Sequence, residues 1–402
     1  MAQAAERRIG KVQATGFMIA LLAAITAMGQ FATNIYLPAL PAISAEMGAT
    51  PAEAQLTLTA YLATFALTQL VYGPVSDRYG RRVVLIFGLA VFVGGCIVCL
   101  LSPGVVVLIV GRVLQAFGGA ACTVVARAVV RDSFDGPALQ KVMALIAVLF
   151  ALVPGLSPLF GALLQEFAGW RSIFAVTGAI AALVAVLMVA RLPETLSRRL
   201  PRLDARELAR GYAIVMGDRT FRRFAVPNMM IFAAMFAFFG GSPRTFIVFL
   251  GVTPTEYGFY PPLASVGFVI GGLVVRALTG RLDSVGICRL GLASVLAACT
   301  FGYVMPLLGY VDKFVLIGAV VAFVSGLGIF LPTAMANALQ LFPDRAGTAS
   351  AMMGFLQMAG AGIGSALVAA YQEPFPVLAY PAIMFFATAL STVYFQINRA
   401  RP

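Results

Sequence analysis

The chain has no histidine and only 16 acidic residues in 402. Charged residues make up 11% of it, against about 25% in a soluble domain. Without histidine there is no imidazole to hold a metal or to carry a proton near neutrality. Cysteine is scarce too, with Cys96, Cys99, Cys122, Cys288 and Cys299 all inside apolar runs. Cys96 and Cys99 have C-x-x-C spacing, but no second pair completes a metal site. They read as packing residues with free thiols, and no structural disulfide is indicated. An enzyme in a membrane needs a nucleophile with its base, or a metal, and these residue types assemble neither. No cofactor or metal is implied.

What the chain does have is apolar surface: 61% hydrophobic residues and a mean hydropathy of +0.94. That excess is accommodated by lipid rather than water. Runs of roughly 20 apolar residues cross about 30 Å of hydrocarbon. Twelve are expected, over 16–37, 54–74, 83–101, 104–126, 142–165, 173–191, 224–249, 258–280, 286–306, 314–335, 347–370 and 377–396. Helices satisfy their own backbone hydrogen bonds and are the default spanning form. The expected fold is an all-α membrane protein of twelve transmembrane helices in two pseudo-symmetric six-helix bundles.

The net charge of +12 is topological. With both termini inside, most of the basic residues fall on the cytoplasmic side, among them Arg7, Arg8, Lys11, Arg78, Arg81, Arg82, the 198–223 group, Arg281, Arg345 and Arg399. Only Arg171, Arg244 and Lys313 fall near the outside, and Arg112 falls within a helix. No basic domain stands apart from the membrane, which argues against nucleic acid as a partner. Arg7, Arg8 and Lys11 precede an apolar run too long for a signal-peptide core, so that run reads as a retained first helix.

The longest polar segment, 192–223, divides the runs six and six. The expected organisation is an N-terminal bundle over 1–192, a cytoplasmic linker over 193–223 and a C-terminal bundle over 224–402. Within the linker, Asp204 to Val215 can form a short amphipathic helix on the membrane surface. Other connections are short and leave no room for a soluble catalytic domain. A substrate site between the bundles near the midplane is the economical arrangement. GPVSDRYGRR after the second run and GRLDSVG after the eighth form a degenerate internal repeat.

In that first copy, Gly73 and Gly80 allow close backbone approach and a tight turn. Asp77 can accept from arginines or from a helix N-terminus, making a latch with Arg78, Arg81 and Arg82 that biases one conformation against another. An ordinary positive-inside loop is the bland alternative. The stretch resembles the signature loop of the major facilitator superfamily, G-x-x-x-D-R-x-G-R-R/K. In the fifth run, Val153-Pro154-Gly155-Leu-Ser157-Pro158-Leu-Phe-Gly161-Ala162 resembles the G-P-x-x-G-G element of that family's antiporters and exporters, with Ser157 and Ala162 departing from it. Pro154 and Pro158 each remove a backbone donor, and Gly155 and Gly161 permit close helix packing. In the fourth run, Arg112 and Gln115 stand in a segment similar to the family's R-x-x-Q-G element, with Ala116 replacing glycine.

Together with NIYLPALPAI, QLTLTAYL, GWRSIF and GTASAMMGFLQ, these motifs resemble the Bcr/CflA-like branch of bacterial drug–proton antiporters across almost the whole chain. The resemblance implies a monomeric inner-membrane exporter working by alternating access on a small molecule. An uptake permease of the same fold and a non-transporting membrane sensor or scaffold are the alternatives.

One feature of the family is missing. A carboxylate often sits where Asn34 sits, and here every acid lies at or beyond a predicted helix end. Proton coupling uses a titratable group, and an amide cannot titrate. The expected interior is instead neutral-polar and positive. Gln30 and Asn34 share a face of the first helix, and Tyr61 lies on the second. Asn228, Phe232 and Phe236 form a stripe on the seventh, followed by a break at 240–243 and Arg244. Asn337 ends the tenth, and Met353 and Gln357 share a face of the eleventh. Each can equally be a packing residue. A buried guanidinium is costly, so Arg112 is a candidate by default, and two arginines facing a cavity without carboxylates favour an anion such as a carboxylate-bearing metabolite or siderophore. The membrane potential drives an anion outward by about 2.3 kcal/mol per charge per 100 mV. The competing expectation is a neutral or cationic drug leaving as protons enter through a rim acid, Asp132 or Glu46.

Overall fold

A computed structural model describes residues 16–134, 136–196, 199, 204–342 and 345–398. Arg7, Arg8, Lys11, Asp135, Arg198, Asp344 and Arg399 lie outside them. Twelve long helices cross the described structure: α1 (Gly16–Asn34), α2 (Pro51–Tyr79), α3 (Arg81–Leu100), α4 (Val105–Ser133), α5 (Gly136–Ala168), α6 (Arg171–Arg191), α7 (Arg219–Pro243), α8 (Tyr260–Leu278), α9 (Ser284–Leu307), α10 (Lys313–Gln340), α11 (Ala346–Tyr371) and α12 (Ala379–Ile397). Exposed Leu, Val, Ile and Phe cover the outer faces of the helices, as a lipid-facing surface requires.

The scarce acids mark helix starts. Thr50 and Glu53 form a reciprocal capping box on α2, with Pro51 in the first turn. Asp218, Asp283 and Asp312 cap α7, α9 and α10 through backbone N–H groups. Several helices run beyond the expected apolar spans at the end of the bundle where α2 meets α3, here the arginine-rich end. α2 reaches Tyr79, α4 Ser133 and α10 Gln340. The expected helix Asp204 to Val215 is present as Ala205–Gly217, capped by Asp204, and its Tyr212 hydroxyl donates to the Leu70 carbonyl of α2 (2.8 Å).

Helix packing repeats between the halves. α1 packs on α4 and α5, and α7 correspondingly on α10 and α11. The pairs α2–α4, α3–α4 and α3–α6 recur as α8–α10, α9–α10 and α9–α12. The halves meet chiefly along two seams, α2 against α11 and α5 against α8. The expected break in the seventh helix is absent. α7 stays helical through the buried Gly240–Pro243 and passes into a π-helical turn at Arg244–Phe249, which extends the rod rather than interrupting it.

Candidate functional site

Between the halves lies a cavity of about 520 Å³. Phe232, Met235, Phe236, Phe238 and Phe239 of α7 form one wall. Pro261, Ala264, Ser265 and Phe268 of α8 and Phe323 to Leu339 of α10 form a second, which runs toward the arginine-rich end. Gln30, Met143, Ile146, Pro154, Gly155, Gln357 and Arg127 complete it. No acid lines it. The surface is therefore largely aromatic and aliphatic, with two amides, a hydroxyl and one guanidinium, the composition of a small-molecule pocket. Arg127 Nε donates to the Thr123 carbonyl one turn earlier (3.0 Å), which holds the side chain along α4.

Of the candidates expected from sequence, Gln30, Phe232, Phe236 and Gln357 line this cavity, with Pro154 and Gly155 of α5. Others lie elsewhere. Arg112 is fully buried and does not face the cavity. Its guanidinium is sandwiched between the rings of Tyr36 and Tyr61, 4.1 and 4.2 Å from their centroids. It donates to the Ala32 carbonyl (3.0 Å) and to Gln115 Oε1. Gln115 donates to Cys96 Sγ (3.1 Å), and Tyr61 to the Gly29 carbonyl (2.8 Å). The expectation of a cation facing the chamber at Arg112 thus fails, because two electron-rich faces solvate the charge inside the first half. Asn34 turns back on its own helix, donating to the Gln30 carbonyl (2.8 Å). Asn228 and Met353 are buried away from the cavity. Asn337 ties α10 to α9, accepting from Ser284 (2.9 Å) and donating to the Thr333 carbonyl (2.8 Å).

Arg244 lines a second cavity of about 450 Å³ at the opposite, arginine-poor end, with Gln55 and Gln372. The central charge comes from Arg127, which sequence reasoning passed over. Its signal was present: Gly119, Thr123 and Arg127 fall at helical spacing inside an otherwise apolar run. The aromatic partner Tyr36 lies within NIYLPALPAI but carried no local sign that it would meet Arg112.

At the turn between α2 and α3, Gly80 holds φ +106°, a conformation that favours glycine. Asp77 pairs with Arg81 (2.5 Å), whose Nε also donates to Asp132 of α4 (3.0 Å) and whose Nη1 donates to Ser76. Arg82 reaches the Val189 carbonyl of α6 (2.7 Å), and Arg78 stacks over Tyr79. Glu194, absent from the expected set, caps α3 by accepting from the N–H groups of Arg81 (2.9 Å) and Arg82 (3.2 Å). A Cβ on Gly80 would lie 2.4 Å from its carboxylate. Gly73 does not make the close approach expected of it, since a Cβ there meets nothing within 4 Å. The fifth helix packs as its small residues require. A Cβ on Gly155 would lie 2.1 Å from Ser265 Oγ across the α5–α8 seam, and one on Gly161 would lie 1.6 Å from the Ile35 carbonyl oxygen. Pro158 is buried beside them.

All five cysteines are buried and free, and among the described residues no His, Cys, Asp or Glu cluster fit for a metal ion exists. The rim acids are engaged. Asp132 holds Arg81, and Glu46 holds Arg171 and accepts from Trp170 Nε1 (2.7 Å).

Residues 19–365 match the Major Facilitator Superfamily. The chain is 29% identical over 386 residues, 95% of each sequence, to a Bacillus subtilis (strain 168) protein described as an uncharacterized MFS-type transporter, YdgK. It is 28% identical, over 88% of each chain, to multidrug resistance protein D of Escherichia coli (strain K12). A POT family transporter solved with 5-aminolevulinic acid superposes with a TM-score of 0.75 at 12% identity, over 98% of each chain, which is a likeness of fold. Helix count, paired packing and this match agree: the chain is a multi-pass membrane transporter belonging to the major facilitator superfamily.

Proposed function

We propose that this chain exports amphipathic organic molecules, including carboxylate-bearing ones such as metabolites or siderophores, across a bacterial inner membrane by alternating access. It acts as a monomer with both termini and the arginine-rich end in the cytoplasm, the orientation that the distribution of arginine favours. The observation that carries the reading is the central cavity, whose aromatic walls hold Arg127 and, among the described residues, no acid. Apolar walls take the ligand's body, and Arg127, half-buried on the lining, favours a negative group. The proline–glycine packing of α5 and the multidrug resistance name of a relative support export over uptake. The turn at 77–82 and its partners act as the conformational latch, and Asp77, Arg81 and Asp132 form its ionic core.

A proton-driven reading needs an acid that is free to titrate. Asp132 and Glu46 are both held in ion pairs, with Arg81 and Arg171. A monoanion needs no proton, because 100 mV supplies about 2.3 kcal/mol, roughly a fortyfold gradient. The test is dansylglycine flux in proteoliposomes under an imposed potential with equal pH on both sides. Movement toward the positive compartment, lost in Arg127→Gln, is expected. A full response to a pH gradient with none to voltage overturns the reading.

A further inference from the structure

The second cavity lies across a closed wall from the central one. Gln55 of α2 packs so tightly on Gly240 of α7 that a Cβ there would lie 2.0 Å from its Nε2, and the same amide donates to Ser365 Oγ of α11 (2.9 Å). Beyond this wall the cavity holds about 450 Å³, lined by Pro41 and Ser44 from the short helix Leu40–Glu46, by Gln55, Pro243 and Arg244, and by Gln372.

We infer that this outer cavity is a separate binding site for a small organic carboxylate, with Arg244 taking the charge. Arg244 is the charged residue among those lining it. Its Nη1 is shielded from solvent and has no hydrogen-bond partner among the described residues. The acids on the walling elements are spent or turned away. Glu46 holds Arg171 and Trp170, Glu53 is locked into the Thr50 capping box, and Glu373 is exposed. Arg244 is half-buried on the cavity wall and makes no ion pair among the described residues, and a planar carboxylate in the cavity matches the exposed part of a guanidinium with charge-assisted bonds. Gln55 and Gln372 are buried and each donates once within the chain, to Ser365 and to the Pro51 carbonyl, so each keeps its amide oxygen and a second N–H for polar groups on the ligand. The prolines give an apolar floor for its hydrocarbon. The inference borrows from the proposed function only the ligand class. Binding here depends on neither the direction of transport nor its driving force.

The chain has one tryptophan, Trp170. It is bonded to Glu46 at the end of the short helix that walls the cavity, so it reports a bound dansyl group by energy transfer. The experiment titrates purified full-length protein with dansylglycine and reads Trp170-sensitised emission. A saturable signal is expected, with Kd raised at least about tenfold in Arg244→Gln and partly restored in Arg244→Lys. Dansylglycinamide, which lacks the carboxylate, should bind the native protein as weakly as dansylglycine binds Arg244→Gln. That comparison carries the test if Arg244→Gln does not fold. Arg127→Gln should leave the sensitised signal in place even if it abolishes flux, which separates this site from the central one. An unchanged Kd in Arg244→Gln, or loss of the signal in Arg127→Gln alone, overturns the inference. So does displacement of dansylglycine by phosphatidylglycerol in nanodiscs, which would make Arg244 a lipid-headgroup site.

Discussion

Replacing a glycine by alanine is the same chemical change everywhere in this chain, yet packing sets opposite outcomes at three positions. At Gly161 the added methyl would lie 1.6 Å from the Ile35 carbonyl oxygen, where ordinary contact begins at 3.4 Å. The obstacle is backbone, so α5 and the turn that follows α1 must part by about 1.8 Å, the difference of those two distances. Overpacking of this kind costs about 1–3 kcal/mol, occasionally more, and a rigid obstacle puts Gly161→Ala at the upper end. At Gly155 the obstacle is the Ser265 hydroxyl, which can rotate away and leave its Cβ at 3.1 Å. That costs little stability, but it lies on the α5–α8 seam, along which the proposed alternating access moves the halves. At Gly272 of α8 nothing lies within 4 Å, and alanine gains up to about 1 kcal/mol of helix propensity. Thermal unfolding in detergent should rank Gly272→Ala at or above the native protein, Gly155→Ala slightly below it, and Gly161→Ala several degrees lower. In proteoliposomes Gly155→Ala should slow flux more than its stability loss explains. A native midpoint for Gly161→Ala, or an equal fall for Gly272→Ala, refutes the packing argument.

Glu194→Ala removes the acceptor for the first N–H groups of α3 and should cost about 1–2 kcal/mol, seen as a lower thermal midpoint and faster amide exchange at 81–84, with dansylglycine binding unchanged. Arg112→Lys should be less stable than Arg112→Met, because lysine keeps the buried charge while losing the planar fit between Tyr36 and Tyr61. The reverse order in thermal melts rules out the ring-sandwich account. Phe236→Ala opens the central wall beside Phe239, 5.5 Å away between ring centroids, and should weaken binding of aromatic ligands there about tenfold. Unchanged affinity in equilibrium binding would show that ligands do not touch that wall.

The helices were legible because a span across lipid needs a long apolar run and nothing else. The turn at 73–82 was legible because glycines, an acid and arginines stand in one short segment. The site was legible only where a single helix carries it, as with Phe232 and Phe236 on α7. Arg112 shows why the rest was hidden. Its cost on burial is visible in the sequence, but its compensation comes from rings on the turn after α1 and on α2, 76 and 51 positions earlier by residue number (112 − 36 and 112 − 61). Glu194 was hidden for the same reason, since it caps a helix that begins 113 residues before it. The break expected at Gly240–Pro243 misread small residues that serve close packing. Gly240 meets Gln55, and Gly241 meets Tyr380.

The two seams that join the halves differ in what must be undone to separate them. Along α2–α11 the arginine-poor end is closed by hydrogen bonds: Gln55 and Thr59 to Ser365, and Gln372 to the Pro51 carbonyl. Between α5 and the short helix Pro254–Gly258 that precedes α8 the closure at that end is mostly steric, through Gly258 against Ala162, with Thr255 donating to Glu166. Each hydrogen bond is worth about 0.5–1.5 kcal/mol net, so opening that end costs a few kcal/mol before any new contact forms. A gap of that size leaves the alternative state populated at about 0.1–10%. A ligand bridging the halves shifts such a balance by its difference in affinity for the two states and by no more than that. The glycine contacts matter for the same reason. They let the seams meet along backbone and short side chains, so that parting them exposes little apolar surface and the cost stays within reach of one small molecule.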